Sequence, residues 1–371
     1  MYDIHSIADI EGHLDLHGSL DCAVLQGIDF GGDADYVCSL DWQGAAVLGG
    51  TIPDRVRLHL IDSGALVFPR LPELPYRPYR PQLYSLAELM EGYQTGDDAS
   101  LEATVDYQIY QSAQQVRSAG RDASAIQTLF QRIHDHAIDD ALADLLTSDH
   151  QVVAVMGGHA LQRGQPDYSA VVHLGRQLAR EGYLVASGGG PGAMEAANLG
   201  AWLAPHADVA LNESVELLGG NVDFRTAGYL DLGYEILNRY PGGAESLAVP
   251  TWFYGHEPTN QFASHIAKYF SNSIREDGLL ALATHGVVFA PGSAGTVQEV
   301  FQDATQNHYG TFDLTSPMVF LGRDFWNQEL PVTPLLRTLA GDRPYSELIG
   351  VVDTPEEAID FLKSHPPIPT S

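Results

Sequence analysis

From Gln151 onward, short unbroken apolar runs alternate with longer stretches in which apolar residues return every three or four positions. The runs are 152–156, 183–186, 247–254, 287–290, 318–321 and 348–352. Unbroken apolarity predicts strands covered on both faces, the environment of a parallel sheet between helical layers. The helically spaced stretches are 169–181, 193–203, 260–282, 296–307, 334–339 and 355–363. Such alternation predicts an α/β fold, a doubly wound, mostly parallel Rossmann-like sheet with right-handed crossovers. The predicted main domain is 151–371, with 204–245 read as an insertion near the mouth of a crevice.

Upstream the pattern changes. Residues 1–84 carry short, glycine-punctuated, strand-like pieces at 23–27, 36–40 and 45–50. Leu20, Leu25 and Phe30 fall five apart, as do Cys22 and Gly27, and that spacing resembles pentapeptide repeats. The register stops after Phe30, so two readings stand, a short β-solenoid and an irregular β-rich cap. A strap rich in proline and tyrosine, 68–84, is expected to lie extended over a surface. Residues 85–150 form a predicted helical connector. Its apolar positions Ile126, Leu129, Phe130, Ile133, Ala137, Ile138, Leu142, Leu145 and Leu146 share one face, with one or both of His134 and His136 expected toward solvent. The chain is thus expected to be a Rossmann-like domain with an N-terminal β-rich and helical extension.

Two predicted strands run straight into glycine-rich turns and then into helical patterns. The first turn is Ser187-Gly188-Gly189-Gly190-Pro191-Gly192-Ala193-Met194-Glu195, and the second is Pro291-Gly292-Ser293-Ala294-Gly295-Thr296-Val297-Gln298-Glu299. Free backbone N–H groups at a helix N-terminus can hold a phosphate without a lysine. Two such turns at the carboxyl ends of strands in one sheet suggest a nucleotide crevice. Glycine is needed in tight strand-to-helix turns for backbone reasons alone, and a glutamate in a first helical turn suits the helix dipole. What distinguishes the pair is that each turn is followed by a carboxylate, Glu195 and Glu299.

Composition narrows the partners. The 19 basic and 48 acidic residues give a formal net charge of -29, which argues against binding a nucleic-acid backbone or an anionic membrane. No run approaches the ~18 apolar residues of a membrane helix, and the N-terminus lacks a signal-peptide pattern, so a cytoplasmic location is expected. Lys268 and Lys363 are the only lysines, which leaves few anchors for a Schiff base. Cys22 and Cys38 have no metal-ligand spacing, and no metal or cofactor is expected. Gly-x-Gly-x-x-Gly is absent after the first strand of the domain, which disfavours dinucleotide oxidoreduction.

The two glycine turns resemble the paired signatures of the Lonely Guy family, cytokinin riboside 5′-monophosphate phosphoribohydrolases once labelled lysine decarboxylases. The family form of the second is Pro-Gly-Gly-x-Gly-Thr-x-x-Glu, and here Ser293 replaces the second glycine. Arg275, on the helix before that strand, takes the place of a family arginine. The resemblance spans roughly 150–355. Ser293 and the stretches Tyr254-Gly255-His256-Glu257-Pro258-Thr259-Asn260 and Val300-Phe301-Gln302-Asp303-Ala304 are more similar to the larger bacterial nucleotide 5′-monophosphate nucleosidases.

That resemblance implies hydrolysis of an N-glycosidic bond to give a base and ribose 5-phosphate. Glu299 and Arg275 are then the expected catalytic residues. Gly292, Ser293, Gly295 and Thr296 are expected on the phosphate, and Gly189, Gly190, Gly192 and Glu195 on the ribose and base side. His256 and Asn260 are candidate base contacts; Asn260 is equally read as a helix cap. His159 is a further candidate, and Asp303 lies on the helical face of Glu299. The resemblance also implies a homodimer or larger homo-oligomer. A nucleotide-sensing module that binds without cleaving is the alternative from another class.

Overall fold

The computed structural model describes residues 2–4, 6–68, 70, 74–146 and 150–370. The chain divides into two compact units, Met1–Leu83 with Arg121–Leu145, and Tyr84–Gly120 with Leu146–Ser371.

The first unit holds a four-stranded, wholly parallel sheet, β1 (Tyr2–Ile4), β2 (Ala23–Gln26), β3 (Ala46–Leu48) and β4 (Leu66–Phe68), in sequential order. Helices Asp9–His17, Ala34–Val37 and Asp54–Asp62 fill the connections. The repeating element is therefore a strand–helix unit, with strands opening at residues 2, 23, 46 and 66. This corrects both N-terminal expectations: there is no five-residue coil, and the two nine-residue helices outweigh strands of four residues or fewer. Leu20, Leu25 and Phe30 are all buried, but as the approach, body and exit of one strand. They pack with Trp42, Val47, Val56 and Leu60 in one core. A parallel neighbour requires a crossover, and a crossover of this length accommodates a helix.

The predicted connector 85–150 is split between the units. Helix Ala125–Leu145 belongs to the first unit and buries Phe130, Ala137, Ile138 and Leu142, while Ile126 and Leu129 face solvent. His134 is fully buried and His136 is exposed. Within the strap, Tyr76 and Tyr79 are buried and meet His134 and Phe130 edge-on, at 5.5 and 5.8 Å between ring centroids. Pro69 and residues 71–73 of the strap, and 147–149 of the connector, lie outside the described residues.

The second unit is the doubly wound sheet the sequence predicts. Its strands are β5 (Val152–Met156), β6 (Leu184–Ser187), β7 (Ser246–Ala248), β8 (His265–Ile266), β9 (Val287–Phe289), β11 (Met318–Leu321) and β12 (Ile349–Val352); β10 (Leu314–Thr315) and β13 (Ile368–Pro369) form a separate antiparallel pair. The order is β12-β11-β9-β5-β6-β7-β8, all parallel. Most strand residues are buried, each large aliphatic one contributing about 1.5–3 kcal/mol. Helices Pro166–Arg180 and Ala193–Trp202 approach closely because Gly175 and Gly200 carry no side chain. A Cβ on either would lie 2.2 Å from the Ala197 carbonyl oxygen or 2.1 Å from that of Val172.

Two boundaries differ from expectation. The predicted strand 247–254 stops at Ala248, two residues before Pro250. The predicted helix 260–282 holds instead the edge strand β8 and a helix of only Asn272–Leu282. The Asn260 side chain accepts from the Phe262 amide at 3.1 Å, a turn that competes with helix formation, and β8 then pairs with β7. The insertion 204–245 contains helices Asp208–Leu218 and Tyr229–Arg239.

Candidate functional site

β5 has β6 on one side and β9 on the other, and the chain moves outward from it in both directions. The loops leaving β5 and β9 therefore part at their carboxyl ends, where open α/β sheets place their ligands. The loop after β5 joins both glycine turns. The Gly158 amide donates to the Pro291 carbonyl at 3.1 Å, and the Gly158 carbonyl accepts from the Ala193 amide at 3.2 Å. Both turns thus lie at the same end of the sheet, around one short glycine loop.

The turns are not equivalent. Ser293, Ala294 and Gly295 of the second are exposed, and Ser293 caps helix Ala294–Tyr309 without a side-chain hydrogen bond. The first amides of a helix have no intrahelical acceptor, so this N-terminus presents free donors to the crevice. Thr296 is buried beneath Gly292, where a Cβ would lie 2.1 Å from its hydroxyl oxygen. Gly292 is required for that closeness, whereas Gly295 has open space around it.

The first turn is closed. Gly188 to Gly192 are buried, the Gly189 amide donates to the Ser187 hydroxyl at 3.1 Å, and the Ala193 amide is engaged by Gly158. Gly192 adopts φ 75°, and a Cβ there would lie 2.5 Å from the Gly158 carbonyl oxygen. Gly189, Gly190 and Gly192 thus form a packed wall, a correction to the expectation of two open amide cradles.

Glu299 lies further along the helix that begins at Ser293, half-buried, with no hydrogen bond of its carboxylate among the described residues. Burial pushes its carboxyl up to about 7, against the opposing pull of Arg275 and with a further push from Glu276. Arg275 is buried on helix Asn272–Leu282, its Nη2 3.5 Å from Glu276 Oε1. Its Nε has no hydrogen-bond partner among the described residues despite its burial. Glu276 is steadied by Asn272 at 2.6 Å and Gln298 at 2.9 Å. The structure brings Glu299, Arg275 and the open turn into one neighbourhood.

Glu195 is elsewhere engaged, a correction to its expected place on the ribose. Arg163 grips it through Nε at 2.9 Å and Nη2 at 2.5 Å, and the Tyr168 and Tyr229 hydroxyls each donate at 2.9 Å. Arg163 is itself buried and lies over the Tyr229 ring. The carboxylate ties helix Ala193–Trp202 to the loop after β5 and to helix Tyr229–Arg239.

His256 and Asn260 are also corrected. His256 turns Nε2 toward Asp106 at 3.5 Å, and its ring meets Tyr107 and Tyr110 edge-on. Asn260 is buried; its Nδ2 donates to Asn198 at 3.0 Å and to the Met194 carbonyl at 3.4 Å, and no helix begins there for it to cap. Asn260 braces Met194 behind the wall, whereas His256 belongs to the surroundings of Asp106. Asp303 is buried with an unpartnered oxygen, and burial holds its carboxyl well above the ordinary range. It lines a small cavity with Leu280, Thr284 and Phe312, so it does not join Glu299. His159 is exposed on the central loop, with no side-chain contact among the described residues that assigns it a role.

Three features escaped the sequence reading. Asp106, on helix Val105–Ala119, is fully buried and accepts from Trp252 Nε1 at 2.8 Å and Thr259 Oγ1 at 2.9 Å, and pairs with Lys268 Nζ at 2.7 Å. Burial alone would raise its carboxyl, but Lys268 and His256 more than offset this and hold it well below the carboxylate range. Met194 packs against Gly188 and Gly190, and Glu257 also reaches Gly190. Residue order carried no signal for the Asp106 cluster, because Trp252, Thr259 and Lys268 reach it from 146 to 162 positions away (252 − 106 and 268 − 106). Lys363 pairs with Glu181 at 2.7 Å, so neither lysine stands free at a glycine turn.

A family model described as the SLOG cluster4 family matches residues 150–206, which include β5, β6 and the first glycine turn. The match is confined to those 57 residues (206 − 150 + 1) and does not reach the second glycine turn. No curated protein matches the chain. Among solved structures, the chain is similar to the molybdenum cofactor binding protein of the phototrophic bacterium Rippkaea orientalis, at 17% identity and TM-score 0.37, over 59% of this chain and 98% of that one. It is also similar to the molybdenum cofactor carrier protein of Chlamydomonas reinhardtii, at 16% identity and TM-score 0.36, over 58% and 97%. These likenesses assign no activity. Among the described residues, no helix is long and apolar enough to cross a membrane.

Proposed function

We propose that the second unit binds nucleoside 5′-monophosphates and hydrolyses their N-glycosidic bond to free base and ribose 5-phosphate. The observation that carries this is Glu299, a half-buried carboxyl that accepts no hydrogen bond among the described residues, on the helix whose uncapped N-terminus is exposed at the sheet's switch point.

The phosphate rests on the amides at Gly292, Ser293 and Gly295, with the Ser293 and Thr296 hydroxyls beside it, and the helix dipole favours its charge. That remote grip positions the sugar against Glu299. As the C1′–N bond breaks, its electron pair leaves with the base and C1′ gains oxocarbenium character. The ionised Glu299 stabilises that cation and orients the water whose oxygen bonds to C1′. One hydrogen of the water stays on its oxygen as the new C1′ hydroxyl; the other proton passes to Glu299, the departing base nitrogen takes up one equivalent, and the carboxylate is restored. Arg275 keeps Glu299 ionised more readily than burial alone would allow.

Incubation with AMP, CMP, GMP and IMP, followed by chromatographic separation of free bases, tests this directly. Release of base by the native chain and none by E299Q is expected. Tight binding without release supports the nucleotide-sensing reading; release confined to cytokinin riboside monophosphates supports the phosphoribohydrolase reading. A homodimer or larger assembly belongs to the same proposal and is measured by sedimentation.

A further inference from the structure

The sequence places Glu195 beside the ribose, yet the structure fixes that carboxylate between Arg163 and two tyrosines. Another carboxylate meets the same wall. Glu257 rests its Oε2 on Gly190, 2.7 Å from where a Cβ would stand, alongside the Met194 methyl at 2.8 Å. Two residues earlier, Gly188 has Met194 Sδ at 2.7 Å and Arg275 Nη1 at 3.2 Å from the same notional position. Arg275 and Glu257 therefore flank Met194 across one glycine turn, and Arg275 is the charged neighbour of Glu299.

Glu257 is half-buried, and its carboxylate makes no hydrogen bond or ion pair among the described residues. The carboxylate oxygens stay open to solvent beside the wall, where they can accept from a ligand that reaches it. Its backbone is held in place. Trp252 and Thr259, on either side, both donate to the buried Asp106, and Gln114 Nε2 donates to the Trp252 carbonyl at 3.2 Å. An ionised carboxylate offers only acceptors, two oxygens side by side, which match two neighbouring hydroxyl donors. Acidic side chains hold ribose hydroxyls in dinucleotide folds for the same reason.

We infer that Glu257 is a specificity-determining residue of this site, accepting hydrogen bonds from the vicinal 2′- and 3′-hydroxyls of a bound ribose. This rests on the proposed nucleotide reading, but it concerns recognition of the sugar and not cleavage. Glu257 selects ribonucleotides over 2′-deoxyribonucleotides.

The experiment compares wild type, E257A and E257Q for hydrolysis of AMP and dAMP, and for calorimetric binding of ribose 5-phosphate and 2-deoxyribose 5-phosphate. Circular dichroism and Tm establish that each variant folds, and E257Q retains the side-chain volume. In the wild type, AMP and ribose 5-phosphate are expected to be favoured about 10- to 100-fold over the deoxy ligands. In both variants that ratio collapses toward one. Variants that fold and keep the wild-type ratio overturn the inference while hydrolysis stands. A ribose 5-phosphate to 2-deoxyribose 5-phosphate binding ratio that collapses in the variants, in a protein that releases no base, sustains the inference and overturns the hydrolase. A wild type that binds neither sugar phosphate nor AMP overturns both.

Discussion

Gly158 donates its amide to the Pro291 carbonyl at 3.1 Å, and through that bond the loop after β5 sets the position of the turn after β9. These residues are separated by 133 positions (291 − 158). The same glycine accepts from Ala193. A single short loop thus fixes the distance between the packed wall and the open helix N-terminus.

The first prediction tests that geometry. Gly292→Ala puts a methyl 2.1 Å from the Thr296 hydroxyl oxygen and 3.0 Å from the Gly158 nitrogen. We expect a loss of about 1–3 kcal/mol in denaturant unfolding, together with weaker AMP binding. Gly295→Ala meets nothing within 4 Å and has no positive φ, so its stability should stay within about 0.5 kcal/mol of wild type or rise. Equal losses in both variants would refute the different roles of the two glycines.

Glu299→Gln should lower kcat for base release by on the order of 10²-fold or more while AMP still binds. With the Glu299 carboxyl pushed up to about 7, wild-type activity should climb as pH rises through that value, and the residual activity of the variant should lack this limb. Stability moves the opposite way. A folded-state value above the ordinary 4.5 means that this group favours folding fully below 4.5 and loses that contribution as pH rises through about 7. Wild type should therefore lose stability relative to E299Q across that window, as read by urea midpoints.

Glu195→Gln should behave as a structural variant. It leaves Arg163, whose charge is buried, without its carboxylate partner, and removal of one member of a buried pair typically costs about 3–5 kcal/mol. Denaturant unfolding should show such a loss. A variant with unchanged stability but an altered KM for AMP would return Glu195 to the ligand.

Asp106→Asn removes the charge that Lys268 faces at 2.7 Å, in a site where both residues are buried. The same range of about 3–5 kcal/mol is expected. Because the Asp106 carboxyl is held below its ordinary 3.8, its contribution is present above that value and disappears as pH falls through the folded-state value. The gap in thermal stability between wild type and D106N should hence narrow on acidification. A gap that does not change with pH would remove the ion pair from the account.

Several features were legible in residue order because they depend on local pattern. The runs 152–156, 287–290 and 318–321 announced strands buried on two faces, and β5, β9 and β11 formed there. The turn of Gly292 and Thr296 could be read as a helix N-terminus for the same reason. In the N-terminal unit, spacing misled: Leu20, Leu25 and Phe30 serve one core from one strand, and a five-residue interval does not distinguish that from a coil. Likewise, nothing near Asn260 revealed that its side chain would turn the chain into β8.

The sequence alone therefore determined the α/β alternation and the two glycine turns, since hydrophobic periodicity and turn chemistry act over a few residues; the candidate pair Glu299 and Arg275 came from the family resemblance those turns carry. Only the tertiary structure decided which carboxylates are free. Glu195 and Asp106 are engaged by Arg163 and Lys268, brought close from 32 and 162 positions away (195 − 163 and 268 − 106), whereas Glu299 and Glu257 accept no hydrogen bond among the described residues. A carboxylate's chemistry is set by its solvation and its nearest charges, and both depend on which distant segments pack around it.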